Sequence, residues 1–131
     1  MPEMPSKKAD KVTVGELRRV VKWFRRKMAM QDWTVSLELS ALVPAWCTGL
    51  PWDVANTLGR SWSAASEKDS LVWINRPNND TVKLAINTTI HELLHMQFAD
   101  IDLYDRMGEP DGEFVISRLA DQLTEAYLLS F

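Results

Sequence analysis

Residues 89–98, TIHELLHMQF, hold both histidines of this 131-residue chain, four positions apart, with a glutamate directly after the first. On an α-helix, positions i and i+4 share one face about a turn apart, so His91 and His95 can present ring nitrogens to a single ion. Ile90, Leu93, Leu94 and Phe98 give the same helix an apolar side suited to a core. One side of this helix is expected to be buried and the other to face a site, and the rest of the fold has to be arranged around it.

Upstream, RPNND supplies a proline stop, and Asp80 is a candidate N-cap for a motif helix running from Thr81 to about Ala99. Before it, TLGRSWSAAS and SLVWINR read as two short strands joined by a polar turn around Glu67, Lys68 and Asp69, a hairpin or meander. LVPAWCTGLPWDVAN breaks the pattern with two prolines and a glycine and is expected to be a loop, whose Trp46 and Trp52 pack on the body or line a cleft. In DWTVSLELSA, Trp33, Val35, Leu37 and Leu39 alternate with polar residues, the period of a half-buried strand.

Further back, Thr13 and Glu16 form a capping-box pattern that opens a helix from Val14 to about Met30, with Leu17, Val20, Val21, Phe24 and Met28 on its inner face. Residues 1–11 read as a flexible N-terminal tail. Downstream of the motif, ADIDLYDRMGEPDGE reads as an acidic connection. Asp111 can then cap a last helix from Gly112 to Leu129 whose predicted buried stripe is Phe114, Val115, Leu119, Leu123 and Ala126. The order is α-β-β-β-α-α, an α+β fold in one domain spanning residues 12–131.

Composition agrees with a single packed domain. Apolar residues make up 46% and charged residues 25%, which excludes overall disorder and collagen-like sequence. The lone Cys47 cannot form an internal disulfide, no apolar signal segment follows the first lysines, and no window is long and apolar enough to span a bilayer. A cytoplasmic protein without a membrane partner is expected. Charge is uneven, roughly +6 over the first thirty residues and roughly −7 over the last forty. The basic run LRRVVKWFRRKM could track phosphates, but Trp23 and Phe24 fall with its aliphatic stripe, so core packing is expected rather than nucleic-acid contact.

The chemistry of H-E-x-x-H suits Zn2+. Zinc accepts neutral imidazole nitrogens, and a catalytic site keeps three protein ligands with a fourth position open to water. Coordination lowers the pKa of such a water to about 7, and Glu92, beside the ion without ligating it, can take the proton as general base. With no other histidine in the chain, the third ligand must be a carboxylate. The candidates are Asp100, Asp102, Asp105, Glu109, Glu113, Asp121 and Glu125. Glu113 is best placed, because an antiparallel last helix would bring its first turns beside the motif. An acid in a first turn also simply complements the helix dipole. Asp121 and Ser117 are candidates to hold the second ring nitrogen of a ligating histidine.

With His91, Glu92, His95 and a helical Glu113 in place, the chain resembles small zincin metallopeptidases of the gluzincin kind, HExxH followed by a glutamate on a later helix. In detail it is similar to the compact metallopeptidase-like proteins common in phage and prophage genomes, through HELLH and the later EFVISRLA, and less closely to ImmA/IrrE-type peptidases. The resemblance implies a minimal zincin-like fold, with an N-terminal helix, a small twisted three-stranded sheet, the motif helix and a glutamate helix behind it. It also implies a zinc cofactor on His91, His95 and Glu113, and a peptide or protein substrate added to an edge strand, Leu58 to Ser63 or Leu71 to Asn75. Such enzymes use a histidine or tyrosine to steady the oxyanion; here only Tyr104 and Tyr127, or more weakly Arg118, could serve. Where larger gluzincins carry an aspartate one turn after the ligand glutamate, this chain has Ser117.

Overall fold

The computed structural model describes residues 12–47, 56–99 and 109–130. Among these, three helices, α1 (Val14–Lys27), α2 (Val82–Gln97) and α3 (Glu109–Leu129), pack with three strands, β1 (Thr34–Ser40), β2 (Gly59–Ala64) and β3 (Asp69–Asn75). The fold is α+β, in the expected order. The expected tail over residues 1–11, Trp52, and the acids Asp100, Asp102 and Asp105 lie outside the described residues.

The sheet runs β1-β3-β2, with β1 parallel and β2 antiparallel to β3. The sequence explains why β3 is central. Its near-continuous apolar run Leu71-Val72-Trp73-Ile74 suits a strand covered on both faces, whereas β1 and β2 alternate and suit strands covered on one. Val72, Trp73 and Ile74 are fully buried. A peptide therefore cannot add to Leu71–Asn75, as the second alternative for the edge had it; β2 is the open neighbour, an edge among the described residues. The β2–β3 connection turns through a 3-10 segment, Ala65–Glu67, and through Lys68, held left-handed at φ 52°.

α1 opens on the expected capping box. Glu16 N donates to Thr13 Oγ1 at 3.1 Å and Thr13 N donates to Glu16 Oε1 at 3.2 Å, satisfying two otherwise orphaned amides. The helix ends at Lys27, three residues earlier than the apolar period suggested, and Ala29 turns the chain out at φ 54°. Leu17, Val20, Val21, Trp23 and Phe24 are buried, while Arg18, Arg19, Lys22 and Arg26 face solvent. The aromatic residues of the basic run are thus core residues. Each such side chain contributes about 1.5–3 kcal/mol by leaving water.

α2 is capped by Thr81, not Asp80: Leu84 N donates to Thr81 Oγ1 at 3.1 Å. α3 begins by Glu109, so Asp111 sits inside its first turn instead of capping it. Its buried stripe is also rotated from the predicted one. Ile116, Ala120, Thr124 and Tyr127 are buried, Leu119 and Leu123 pack against the core edge, and Phe114 is 62% exposed. The core thus joins the inner faces of α1, α2 and α3 to the sheet side that carries Val72 and Ile74. No helix among the described residues is long and apolar enough to cross a membrane.

Candidate functional site

α2 has three kinds of neighbour, and its residues sort accordingly. Ile86, Ile90, Leu93 and Leu94 enter the core. Thr88 and Glu92 lie toward β2, and Lys83, Asn87, His91 and His95, spaced four apart, face α3. α3 answers in antiparallel register. Lys83 Nζ pairs with Glu125 Oε1 at 2.8 Å, and Asn87 Nδ2 donates to Asp121 Oδ1 at 3.0 Å. Where the next rungs fall, Glu113 meets both histidines, Oε1 lying 2.6 Å from His91 Nε2 and Oε2 3.4 Å from His95 Nε2.

The three side chains are half-buried, and one ligand atom from each lies within 4.8 Å of the others. Two donors on a tetrahedral zinc with bonds of 2.0–2.1 Å stand about 3.3 Å apart, close to the His95–Glu113 separation. The donor set, two imidazoles and a carboxylate converging through Nε2 and both carboxylate oxygens, therefore fits a divalent ion with small side-chain adjustments. The imidazole rings are 5.1 Å apart, centre to centre, and tilted by 55°.

Electrostatics follow from this crowding. Burial pulls the His91 pKa down, but the hydrogen bond to Glu113 and the charges of Glu92, Glu113 and Asp121 outweigh it, so His91 stays protonated above its usual 6.5. Glu92 is only 7% exposed. Burial pushes its carboxyl above the usual range, opposed by the charges of His95 and His91 and by a hydrogen bond from Ser61. A buried carboxyl with a raised pKa beside a metal-type cluster is a candidate for proton transfer.

β2 forms the opposite wall, held unusually close. A Cβ on Gly59 would come 2.8 Å from the Trp73 carbonyl oxygen, 3.0 Å from Thr88 Cγ2 and 3.5 Å from Glu92 Cγ, so only glycine lets the strand approach α2 this nearly. An asparagine network fixes that approach. Buried Asn79 donates to the carbonyls of Leu58 at 3.0 Å and Asn75 at 2.7 Å, and its Oδ1 accepts from Thr88 Oγ1 at 2.7 Å. Asn75 and Asn78 both donate to the Thr57 carbonyl at 2.8 Å. Between the walls lies a cleft of about 810 Å3, with His91, Glu92, His95 and Glu113 in its lining.

The structure brings the expected ligand candidates His91, His95 and Glu113 together, with Glu92 beside them in the cleft lining. Glu113 stands between the two histidines, and Ser117 and Asp121 line the same cleft. Asp121 acts on His91 through its charge and accepts its hydrogen bond from Asn87. The candidate oxyanion groups fare differently. Tyr127 is buried in the core, edge-on to Trp23 at 5.3 Å and 79°, fourteen residues along α3 from Glu113 and so about 20 Å away along the axis. Arg118 lies over the Phe114 ring at 5.9 Å, and Tyr104 is outside the described residues. Gly59, Ser61, Asn79, Asn87 and Thr88 escaped the sequence reading. Only the RPNND run carried a signal, and it read as a stop.

No protein-family model, curated protein or solved structure matches the chain. What the centre does has to be read from its own side chains.

Proposed function

We propose that the protein is a small zinc-dependent metallopeptidase of the gluzincin kind, hydrolysing peptide bonds with Glu92 as general base. The observation that carries this reading is the convergence of His91, His95 and Glu113 on one point with buried Glu92 beside them. Three protein donors, with no fourth in the cluster among the described residues, match a catalytic site better than a closed structural one. Zinc bound there would supply a polarised carbonyl and a water of lowered pKa.

The chain's own groups account for the rest. Glu113 bridges both imidazoles and keeps their Nε2 atoms turned to one point. Glu92, bonded to Ser61 and shielded from solvent, takes the proton from the attacking water and can return it to the leaving amine. The open edge of β2 offers backbone donors and acceptors on which an extended peptide can lie across the cleft. A cytoplasmic setting belongs to the same proposal, supported by Cys47 being buried and free.

Burial of Tyr127 against Trp23 removes one of the two tyrosines that could steady an oxyanion. That favours, as a second reading, a zinc-containing binding or regulatory protein with little turnover, to which the exposed basic face of α1 could add contact with nucleic acid. Glu92→Gln separates the two. It keeps the ligands, so zinc content should be unchanged while peptide hydrolysis falls by about 100-fold or more. Equal hydrolysis by wild type and Glu92→Gln, or none by zinc-loaded wild type on a broad peptide library, would refute the peptidase reading.

A further inference from the structure

The cleft is larger than a metal centre needs, and its walls say what else it takes. Among its described lining residues only Leu58 and Ala99 carry apolar side chains, so it offers no apolar pocket. Along the α2–α3 wall two carboxylates besides the metal cluster line the cleft, the buried Glu92 beside the histidines and, farther along, Asp121. Asp121 is oriented by a neutral donor. Asn87 Nδ2 bonds Asp121 Oδ1 at 3.0 Å and Thr124 Oγ1 at 3.1 Å, and Thr124 in turn donates to the Ala120 carbonyl at 2.7 Å, so the amide is fixed from behind. The nearby ammonium of Lys83 is taken by Glu125 at 2.8 Å. The Asp121 carboxylate is thus held in a defined position at the cleft. Arg60 also lines the cleft, from β2, where it alternates with Ser61 along the strand.

The spacing gives the size of what would fit. Asn87 precedes His91 by one helical turn, about 6 Å along the axis. The four-carbon stem of a lysine spans a distance of the same order. We propose that the cleft between His91 and Asp121 is a subsite for a cationic side chain, lysine or arginine, on the substrate residue next to the bond held at the metal. This rests on the metal-centre reading above and names the substrate class of that site, peptides with a basic residue beside the scissile bond.

The test uses amino-acid hydroxamates, which chelate zinc whether or not the protein turns over. Lysine hydroxamate and norleucine hydroxamate have the same stem and differ by the terminal ammonium. Binding of each to the zinc-loaded full chain is measured by calorimetry at low salt, for wild type and Asp121→Asn, with zinc content checked in both. Wild type should bind the lysine compound about fivefold more tightly, the scale of a partly exposed ion pair. The ratio should fall to about one in Asp121→Asn and in wild type at about 1 M salt, where the screening length is about 3 Å. A ratio of one in low-salt wild type, or a preference that survives either the substitution or the salt, overturns the subsite. Binding of neither compound to zinc-loaded protein contradicts the open metal centre and the subsite together. A lysine preference without peptide hydrolysis leaves the subsite standing and refutes only the peptidase reading.

Discussion

Asn79 offers the sharpest test of how the cleft is built. At 1% exposure its amide donates to the Leu58 and Asn75 carbonyls and accepts from Thr88 Oγ1, tying β2, the end of β3 and α2 at one point. Asn79→Ala deletes all three bonds, each worth about 1 kcal/mol net. The partners relax unequally. The Leu58 carbonyl still accepts from Asn75 N at 2.9 Å, and the Thr88 hydroxyl can turn to the carbonyl one turn back in α2, but the Asn75 carbonyl loses its Asn79 donor in a buried place. A loss of about 2–4 kcal/mol follows, large against the 5–15 kcal/mol typical of a whole domain. Urea unfolding of the metal-free protein, followed by the fluorescence of buried Trp23, Trp33 and Trp73, measures it directly. Thr88→Val should cost about 1 kcal/mol, and the double variant should show a coupling of about 1 kcal/mol. A loss below about 1 kcal/mol for Asn79→Ala, or strict additivity, would refute the idea that this amide clamps the cleft wall.

Gly59→Ala should destabilise by about 1–3 kcal/mol, because its Cβ would stand 2.8 Å from the backbone oxygen of Trp73 and something must move. Hydrolysis should fall with β2 displaced from Glu92 while zinc content stays at the wild-type level, and a neutral outcome in unfolding and activity would contradict the close approach. Zinc binding must displace the proton that Glu113 and its acidic neighbours hold on His91, so affinity should weaken as pH falls through the raised His91 value, above 6.5. In Glu113→Gln the same weakening should begin at lower pH, which competition titration against a chelator can follow. Without metal the sign reverses. Raised folded pKa values at both His91 and Glu92 mean stabilisation that is complete below their unfolded values, 6.5 and 4.5, and is lost as pH rises through the folded ones. The Tm of metal-free protein should thus be higher at about pH 6 than at about pH 8, and the opposite trend would contradict the assigned shifts.

What could be read from the sequence was whatever depends on local spacing. The Thr13–Glu16 box, the alternation of β1 and the four-residue step from His91 to His95 all express periodicities that a short window contains. Glu113 was legible because a helix returning antiparallel to α2 leaves few carboxylates within reach. The failures came where an element serves two neighbours. α3 must give Glu113, Ser117 and Asp121 to the cleft and an adjacent stripe, Ile116, Ala120 and Tyr127, to the core. Its apolar residues are numerous enough to fit several phases, so the predicted stripe wrongly included exposed Phe114. Parallel pairing of β1 with β3, more than thirty residues apart, leaves no trace in either strand. The buried asparagines look like loop residues until their partners at Leu58 and Thr88 are known.

The central claim is that His91, His95 and Glu113 together hold one metal ion. Zinc stoichiometry and affinity of the purified chain, compared with His95→Ala and Glu113→Ala, test it most directly. Wild type should bind one zinc per chain, and each variant should lose about 100-fold or more in affinity, on the scale by which zinc sites depend on their ligands and supports. Full occupancy with unchanged affinity in both variants, or no zinc binding by the folded wild type, would contradict it.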